Sequence, residues 1–261
     1  MNARRGRDGR IVVAFDPHRP DAAALELAVP LARSLAQALY ALYVEDVDTL
    51  SLAAFGCVVG VCAATGEARP VSRESLERDF RRLERQARAA FEAAAAGAGR
   101  AEFAAVRGRL AEELRRACDD AAAVLITRPE TGLATSTSAA GVLDTLLALP
   151  VGVAGMIAAR RARDTGVLAV LRPERFTAGG PGLLPEAPLL QATLRALGAA
   201  AHPVSISGRA LDRDTLLRRL RAGNVGTLLL ERGATGDDRG LLRELLGCWP
   251  GSLLTLQSDE T

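Results

Sequence analysis

The sequence contains no lysine, since all 33 basic residues of its 261 are arginines. This absence excludes Schiff-base chemistry and a Walker-type phosphate loop, because both require a lysine. The only two histidines, His18 and His202, lie far apart in the chain. The four cysteines form no CxxC pair: Cys57, Cys62, Cys118 and Cys248. We therefore expect neither a metal centre built from clustered ligands nor a disulfide framework.

Strong net charge and long apolar runs are also missing. The formal charge of +2 is too small to predict binding to nucleic acid or to an anionic membrane. No run reaches the roughly 18 apolar residues that a membrane-spanning helix needs. The basic start, MNARRGRDGR, leads directly into an apolar strand without the apolar segment of a signal peptide. We expect a cytoplasmic protein with no membrane and no nucleic-acid partner.

Residues 10–46 predict a strand, a helix and a second strand. Residues 11–15, IVVAF, form an apolar run rich in β-branched side chains, as in a strand buried on both faces. Apolar side chains then recur at helical spacing behind a candidate cap, Asp21. Residues 39–44 are a second apolar run that ends at Glu45 and Asp46. Parallel strands joined by a helix form a right-handed βαβ unit, whose ligands bind beyond the carboxyl ends of the strands.

This alternation continues to residue 159. An amphipathic helix over 72–96, capped by Ser72, is followed by strands over 101–106, 123–127 and 151–156 with helices between them. Cys118 lies on the apolar face of one of these helices, which predicts a small core residue. Five strands and four helices predict one doubly wound α/β domain over residues 1–159.

A basic break at residues 158–164 precedes a second, shorter series over residues 160–261. Its predicted strands cover 166–174, 202–207, 227–233 and 252–257, with helical patterns between them. The order repeats that of the first half with one βα unit fewer. We predict a tandem repeat whose second copy is truncated and forms a smaller parallel sheet.

The segments IVVAFD, ALELAVPLARSLAQ and LYALYVED together resemble the universal stress protein family. The resemblance extends through both halves and implies two flavodoxin-like, HUP-type parallel-sheet domains in tandem. Many members of that family bind ATP, and their fifth strand lies at the usual pairing edge. The resemblance therefore implies that Val151–Met156 and Leu253–Gln257 pair within the chain, giving intramolecular domain pairing, with a homo-oligomer left open.

In nucleotide-binding members of that family, an Asp ending the first strand and the end of the second strand hold adenine and ribose. A loop of the form Gly-x2-Gly-x9-Gly-Ser/Thr after the fourth strand holds the phosphates, because glycines let backbone N–H groups approach them closely. The positions that this resemblance assigns to a nucleotide site are Asp16, Val44, Thr127, Gly132 and Ser138.

The phosphate loop departs from the family pattern. Thr127 and Glu130 stand in place of its first two glycines, only Ser138 matches, and Gly132 is at best a displaced glycine. Glu130 would place a carboxylate where phosphates lie, which is repulsive. In the second copy, Arg172 replaces the Asp that ends the first strand. We expect a degenerate nucleotide pocket in the first copy and none in the second.

Catalysis finds little support in the sequence. Asp16 and His18 are two residues apart on a turn, with no activated nucleophile beside them, and no GxSxG motif is present. We therefore do not expect an enzyme. For the apolar segment 47–70 two interpretations stay open: a buried connection packed under the next helix, which we favour, or a lid or partner-docking segment.

Two functional hypotheses follow. The first is a non-catalytic stress-response or regulatory protein that needs no cofactor and acts through contacts with an unidentified protein partner. The alternative is an adenine-nucleotide binder for ATP or AMP, or a slow ATPase, using Asp16, Val44 and a rebuilt loop between Gly132 and Ser138. The missing glycine loop favours the first hypothesis.

Overall fold

The computed structural model describes residues 9–15, 23–55, 58–61, 65–118, 120–127, 144–149, 154–158, 168–172, 204–207, 214–215, 218, 222, 226–231, 238–248 and 251–256. The elements within them are β1 Arg10–Ala14, α1 Ala23–Leu35, β2 Ala38–Asp46, α2 Val47–Ala53, β3 Val59–Val61, β4 Ala68–Pro70, α3 Arg73–Ala95, β5 Ala101–Gly108, α4 Leu110–Ala117, β6 Ala121–Thr127, β7 Ala154–Ala158, β8 Leu168–Arg172, β9 Val204–Ser207, β10 Thr227–Glu231, α5 Asp238–Cys248 and β11 Ser252–Leu256. Residues 144–147 are also helical.

Nine strands form one sheet in the order β5-β2-β1-β6-β7-β11-β10-β8-β9. The first five are mutually parallel with β1 in the centre, which confirms the five-stranded parallel sheet predicted for the first half. The last four are also parallel to one another. The sequence predicted a separate second sheet, whereas hydrogen bonds between β7 and β11 join the two sets into one.

The junction of β7 and β11 is antiparallel, so the last four strands run opposite to the first five. Thr255 lies opposite Gly155 and donates its hydroxyl hydrogen to the Gly155 carbonyl at 3.3 Å. A Cβ at Gly155 would stand 2.7 Å from Thr255 Oγ1 and 2.9 Å from Leu146 Cδ2, so only glycine fits here without a shift. The two strands for which the sequence predicted pairing thus lie side by side.

Each face of the sheet carries its own core. Along β1, Val12 and Ala14 point to the face covered by α4 and α5, while Ile11, Val13 and Phe15 point to the face covered by α1 and α3. This alternation follows from the two-residue repeat of a strand, and it explains the unbroken apolar run, since both faces are buried. Cys118 is buried in the first of these cores, as predicted.

Helix α3 follows its sequence pattern closely. The Ser72 hydroxyl oxygen accepts a hydrogen bond from the Ser75 backbone N–H at 3.1 Å. The Ser75 hydroxyl oxygen accepts one from the Ser72 backbone N–H, and the two bonds form a capping box. The buried side chains of the helix recur on one stripe: Phe80, Ala87, Phe91 and Ala95. The opposite, charged face is laced with arginine–glutamate ion pairs four residues apart.

The segment 47–70 is only partly the buried connection that the sequence favoured. Leu50 and Ala53 of α2 are buried, and α2 packs against α3. The rest of the described segment forms a hairpin, β3 and β4, in a small sheet of its own. Val59 and Val61 of this hairpin are exposed, because no described helix covers that face of the three-residue strands, and Leu52 and Phe55 are exposed as well. The buried-connection interpretation is therefore wrong for these four residues.

Candidate ligand crevice at the carboxyl edge of the sheet

The order of the first five strands creates a crevice between β1 and β6. From β1 the chain moves to β2 and then β5 on one side, and it returns to β6 and β7 on the other. In sheets of this kind ligands bind where the order reverses, beyond the carboxyl ends of the strands. Phe15 and Thr127 mark those two ends. The fold therefore places a candidate ligand crevice where the sequence predicted one.

Two of the five predicted nucleotide-site positions fall within the described residues. Val44 is paired with Val106 of β5, and its side chain is 0% exposed in the core under α4. The whole residue is therefore buried and offers no exposed surface to a ligand. Thr127 is the last residue of β6 and pairs with Ala158. Asp16, Gly132 and Ser138 lie outside the described residues.

An ion-pair cluster that the sequence did not predict occupies the same edge. Glu45 and Arg107 are register partners on β2 and β5, and the carboxylate and guanidinium are 2.8 Å apart. Arg107 also lies 3.8 Å from a carboxylate oxygen of Glu77 on α3. Arg107 thus ties the end of the sheet to the helix that covers it.

A second arginine extends the cluster to α2. Arg109 donates from Nε to both carboxylate oxygens of Asp48 at 3.2 Å and lies 3.6 Å from Glu112. The hydrogen bond to Asp48, followed by its charge and that of Glu112, raises the pKa of Arg109 above its ordinary value. Asp46 caps α2, accepting from the Asp48 backbone N–H and from the Thr49 hydroxyl. The last residue of β2 therefore starts the next helix directly.

The ion pair between Glu45 and Arg107 could have been predicted from the sequence, although the two residues lie far apart along the chain. Glu45 and Arg107 are 62 residues apart, and each stands at the end of a predicted strand. Once β2 and β5 are taken as adjacent and parallel, aligning their carboxyl ends would place these charges together. The contact of Arg109 with Asp48 depends on α2, which the sequence pattern did not predict.

A separate cleft of about 380 Å³ lies at the opposite, amino-terminal edge of the sheet. It is lined by the ends of α1 and α3, including Arg33, Gln37 and Arg100. Arg33 donates to the Ala96 carbonyl at the carboxyl end of α3, which is the ordinary role of a cation at that position. This cleft is at the wrong edge for a ligand of this fold class.

Metal ligands and membrane-spanning helices were also sought in the structure. Within the described ranges, no group of three or more His, Cys, Asp or Glu side chains is placed to hold a metal ion. In that same part of the chain, no helix combines the length and apolar character required to cross a bilayer.

The sheet order and the helices on both faces define a doubly wound α/β protein. No family model and no curated protein matches the sequence. Solved structures do match the fold. A universal stress protein from Archaeoglobus fulgidus DSM 4304 superposes with a TM-score of 0.54 and 11% identity, over 97% of this chain and 98% of that chain.

A functionally unknown protein from Pseudomonas aeruginosa PAO1 covers 96% of this chain and 93% of its own, with 12% identity and a TM-score of 0.49. At such identities the likeness concerns the fold alone. The chain has the universal-stress-type α/β fold, as the resemblance of its opening strands and helix predicted.

Proposed function

We propose that this chain is a non-catalytic stress-response or regulatory protein of universal stress type that acts through protein contacts. In this proposal its first-domain nucleotide pocket is degenerate. The second part, residues 160–261, is a truncated copy of the first part, residues 1–159, and the protein works in the cytoplasm.

The observation that carries the proposal is the charge arrangement at the carboxyl edge. Arg107 and Arg109 are each engaged by two carboxylates. Described acidic groups at this edge outnumber the arginines: Glu45, Asp46, Asp48, Glu77 and Glu112. Phosphate groups that came near this cluster would meet more negative than positive charges, which is unfavourable. Together with the missing glycines after β6, this disfavours the phosphate part of ATP most.

The strand order supports the tandem part of the proposal. Numbered by position along the chain, the first five strands have the order 3-2-1-4-5. Taking β8, β9, β10 and β11 as strands 1, 2, 4 and 5 of a second copy gives the order 2-1-4-5 on the other side of the junction. The same topology with strand 3 missing is what a repeat shortened by one βα unit would form.

One observation favours the alternative, an adenine-nucleotide binder. The carboxyl ends of β1 and β6 flank the point of strand reversal, so the place where this fold class binds nucleotides is retained. An adenosine moiety needs less from a phosphate loop than ATP does, so AMP or adenosine would fit this arrangement better than ATP.

A titration with ATP, ADP, AMP and adenosine at fixed magnesium tests both candidates. For the degenerate pocket we expect ATP to bind no more tightly than AMP or adenosine. A nucleotide at about 100 times its dissociation constant would stabilise the fold by about 2.7 kcal/mol, which thermal unfolding detects readily.

The matched variants are Asp16→Ala, at the position that the resemblance assigns to the nucleotide site, and Asp79→Ala on the exposed face of α3. We expect neither change to alter the titration. Micromolar binding of ATP, clearly tighter than that of AMP and lost in Asp16→Ala but not in Asp79→Ala, would refute the degenerate pocket and establish the nucleotide binder.

A further inference from the structure

Exposed apolar side chains are concentrated in one short segment. Every strongly exposed large hydrophobic side chain in the described part of the chain lies within ten residues: Leu52 at 56%, Phe55 at 75%, Val59 at 55% and Val61 at 66%. They belong to the end of α2 and to β3. Soluble domains rarely leave a group of this kind uncovered unless it is an interaction surface. We call these four residues the β3 patch.

The backbone of β3 has an unpaired edge next to this patch. In the antiparallel pair with β4, Val71 donates its N–H to the Val58 carbonyl. Hydrogen-bonded positions alternate along such a ladder, so the N–H and C=O groups of Gly60 point toward β4. Those of Val59 and Val61 point to the other side of β3, away from β4. Pro70, which has no N–H, pairs opposite Val59 at a position where none is needed. Among the described strands, β4 alone pairs with β3.

The two faces of β3 differ. A Cβ at Gly60 would stand 2.9 Å from Val71 Cγ2. Val71 therefore covers the face of β3 on which a side chain of residue 60 would lie, and glycine fits there without a shift. Val59 and Val61 alternate with Gly60 and therefore lie on the other face, in solvent. Two outward-facing valines flank a residue without a side chain.

The surroundings of the patch exclude charged partners. Residues 49–66 contain no Asp, Glu, Arg or Lys. Nucleic acid and anionic membranes require basic groups around the contact, and acidic or basic peptides require complementary charges. The nearest charged side chains on the hairpin, Glu67 and Arg69, are paired with each other at 2.8 Å. The partner should therefore offer an uncharged apolar surface and a strand edge that can pair with β3.

We propose that the β3 patch binds a second copy of this chain, with β3 pairing antiparallel to β3 across a two-fold axis at Gly60. In this register Val59 lies opposite Val61 of the second copy, so the outward N–H and C=O groups of both residues are satisfied. The two glycines face each other at the close, non-hydrogen-bonded position, where the absence of side chains is an advantage. The result is a four-stranded sheet, β4-β3-β3-β4, with four valines on one face.

An isologous contact uses the same patch on both copies, so the four exposed side chains of each copy would be buried together. Two patches of about 500 Å² each would supply the roughly 1,000 Å² that a specific interface needs. This self-association does not require a bound nucleotide, and it concerns a different edge from the β7–β11 junction.

Charged residues introduced at the two valine positions test the register. In Val59→Glu/Val61→Glu, each glutamate would face a glutamate of the second copy, so we expect the dimer dissociation constant to rise about a hundredfold. Val59→Lys/Val61→Lys should dissociate likewise. An equimolar mixture of the two variants should form a heterodimer, because every opposed pair then carries opposite charges. Light scattering and sedimentation equilibrium on the full chain measure all three.

Ala89→Glu, on the exposed face of α3, is the matched control and should dimerise like the wild type. Hydrogen exchange gives an independent readout: protection of the Val59 and Val61 N–H groups should increase with protein concentration, whereas that of Gly60 should not. A wild type that stays monomeric at all accessible concentrations would overturn the proposal. So would a glutamate variant that dimerises normally, or a mixture that remains monomeric.

Discussion

The first five and the last four strands of the sheet follow the same order apart from one missing strand, but their ladders differ in length. In the first half, β2 and β5 pair over eight residues and carry the charged cluster at their carboxyl ends. In the second half, β8 and β9 pair over four residues. No described strand covers the outer edge of β9. The first half therefore has the longer ladder of backbone hydrogen bonds, and the second has to gain its stability in another way.

The described strands of the second half share buried clusters with the first half. Leu228, Leu230 and Leu253 lie in the same buried cluster as Val12 and Val124, so one core crosses the β7–β11 junction. On the other face, Leu229 and Leu254 join the cluster that contains Phe15. Arg239 of α5 also contacts Asp144 across the junction at 2.8 Å. The described part of the second half therefore packs its strands into cores that belong to both halves.

The strongest test of this dependence is Leu230→Ala. Leu230 is fully buried in the shared cluster, so we expect a loss of about 2–5 kcal/mol in the free energy of unfolding. If the core is shared, the whole chain should unfold in one transition that shifts to lower urea concentration. Far-UV circular dichroism reports on all elements, and the fluorescence of Trp249, the only tryptophan, reports on the second half.

Leu125→Ala, at a fully buried position of β6, is the control from the first half. It should shift the same transition by a similar amount, with both probes still coincident. If Leu230→Ala moved only the fluorescence transition and left a separate first-half transition in place, the two halves would be independent domains without a shared core.

A smaller effect is expected from Gly155→Ala at the junction. The new methyl group would meet Thr255 Oγ1, Leu146 Cδ2 and Leu149 Cδ1 at 3.0 Å or less. Overpacking of this kind costs about 1–3 kcal/mol, measured by urea unfolding. Gly99→Ala, where a Cβ meets no atom within 4 Å, should change stability far less. Equal effects at both positions would show that the junction is loosely packed.

The smallest expected effect is specific to the first half and concerns Glu74 at the start of α3. Its own backbone N–H, and then the Ser72 side chain, lower the pKa of this carboxyl below 4.5. A lowered folded-state pKa means that ionised Glu74 stabilises the fold above the unfolded pKa. This contribution is lost as the pH falls through the folded value. Carboxyl chemical shifts during an NMR titration should show the lowered pKa, and Ser72→Ala should bring it back toward 4.5.

The sequence predicted most of the elements whose pattern is local. The apolar runs of β1 and β6 and the amphipathic stripe of α3 were predictable because burial imposes a period on each. The hairpin of β3 and β4 was not, since three-residue strands interrupted by glycine and proline give no period. Helix α2 was missed because its cap, Asp46, is also the last residue of β2.

The candidate crevice was predictable in position but not in charge. The end of β1 and the end of β6 follow from strand order, which alternation along the chain implies. The contacts of Arg107 with Glu45 and Glu77 depend on register and on the docking of α3, neither of which a sequence pattern supplies. Tertiary packing decides such contacts.

The antiparallel junction of β7 and β11 makes the molecule two-ended. Because the strands of the halves run in opposite directions, their carboxyl edges open toward opposite poles. A ligand at the carboxyl edge of the first half would therefore lie at the other end of the sheet from a ligand at the carboxyl edge of the second half. Any communication between them would pass through the β7–β11 junction and the buried clusters that the two halves share.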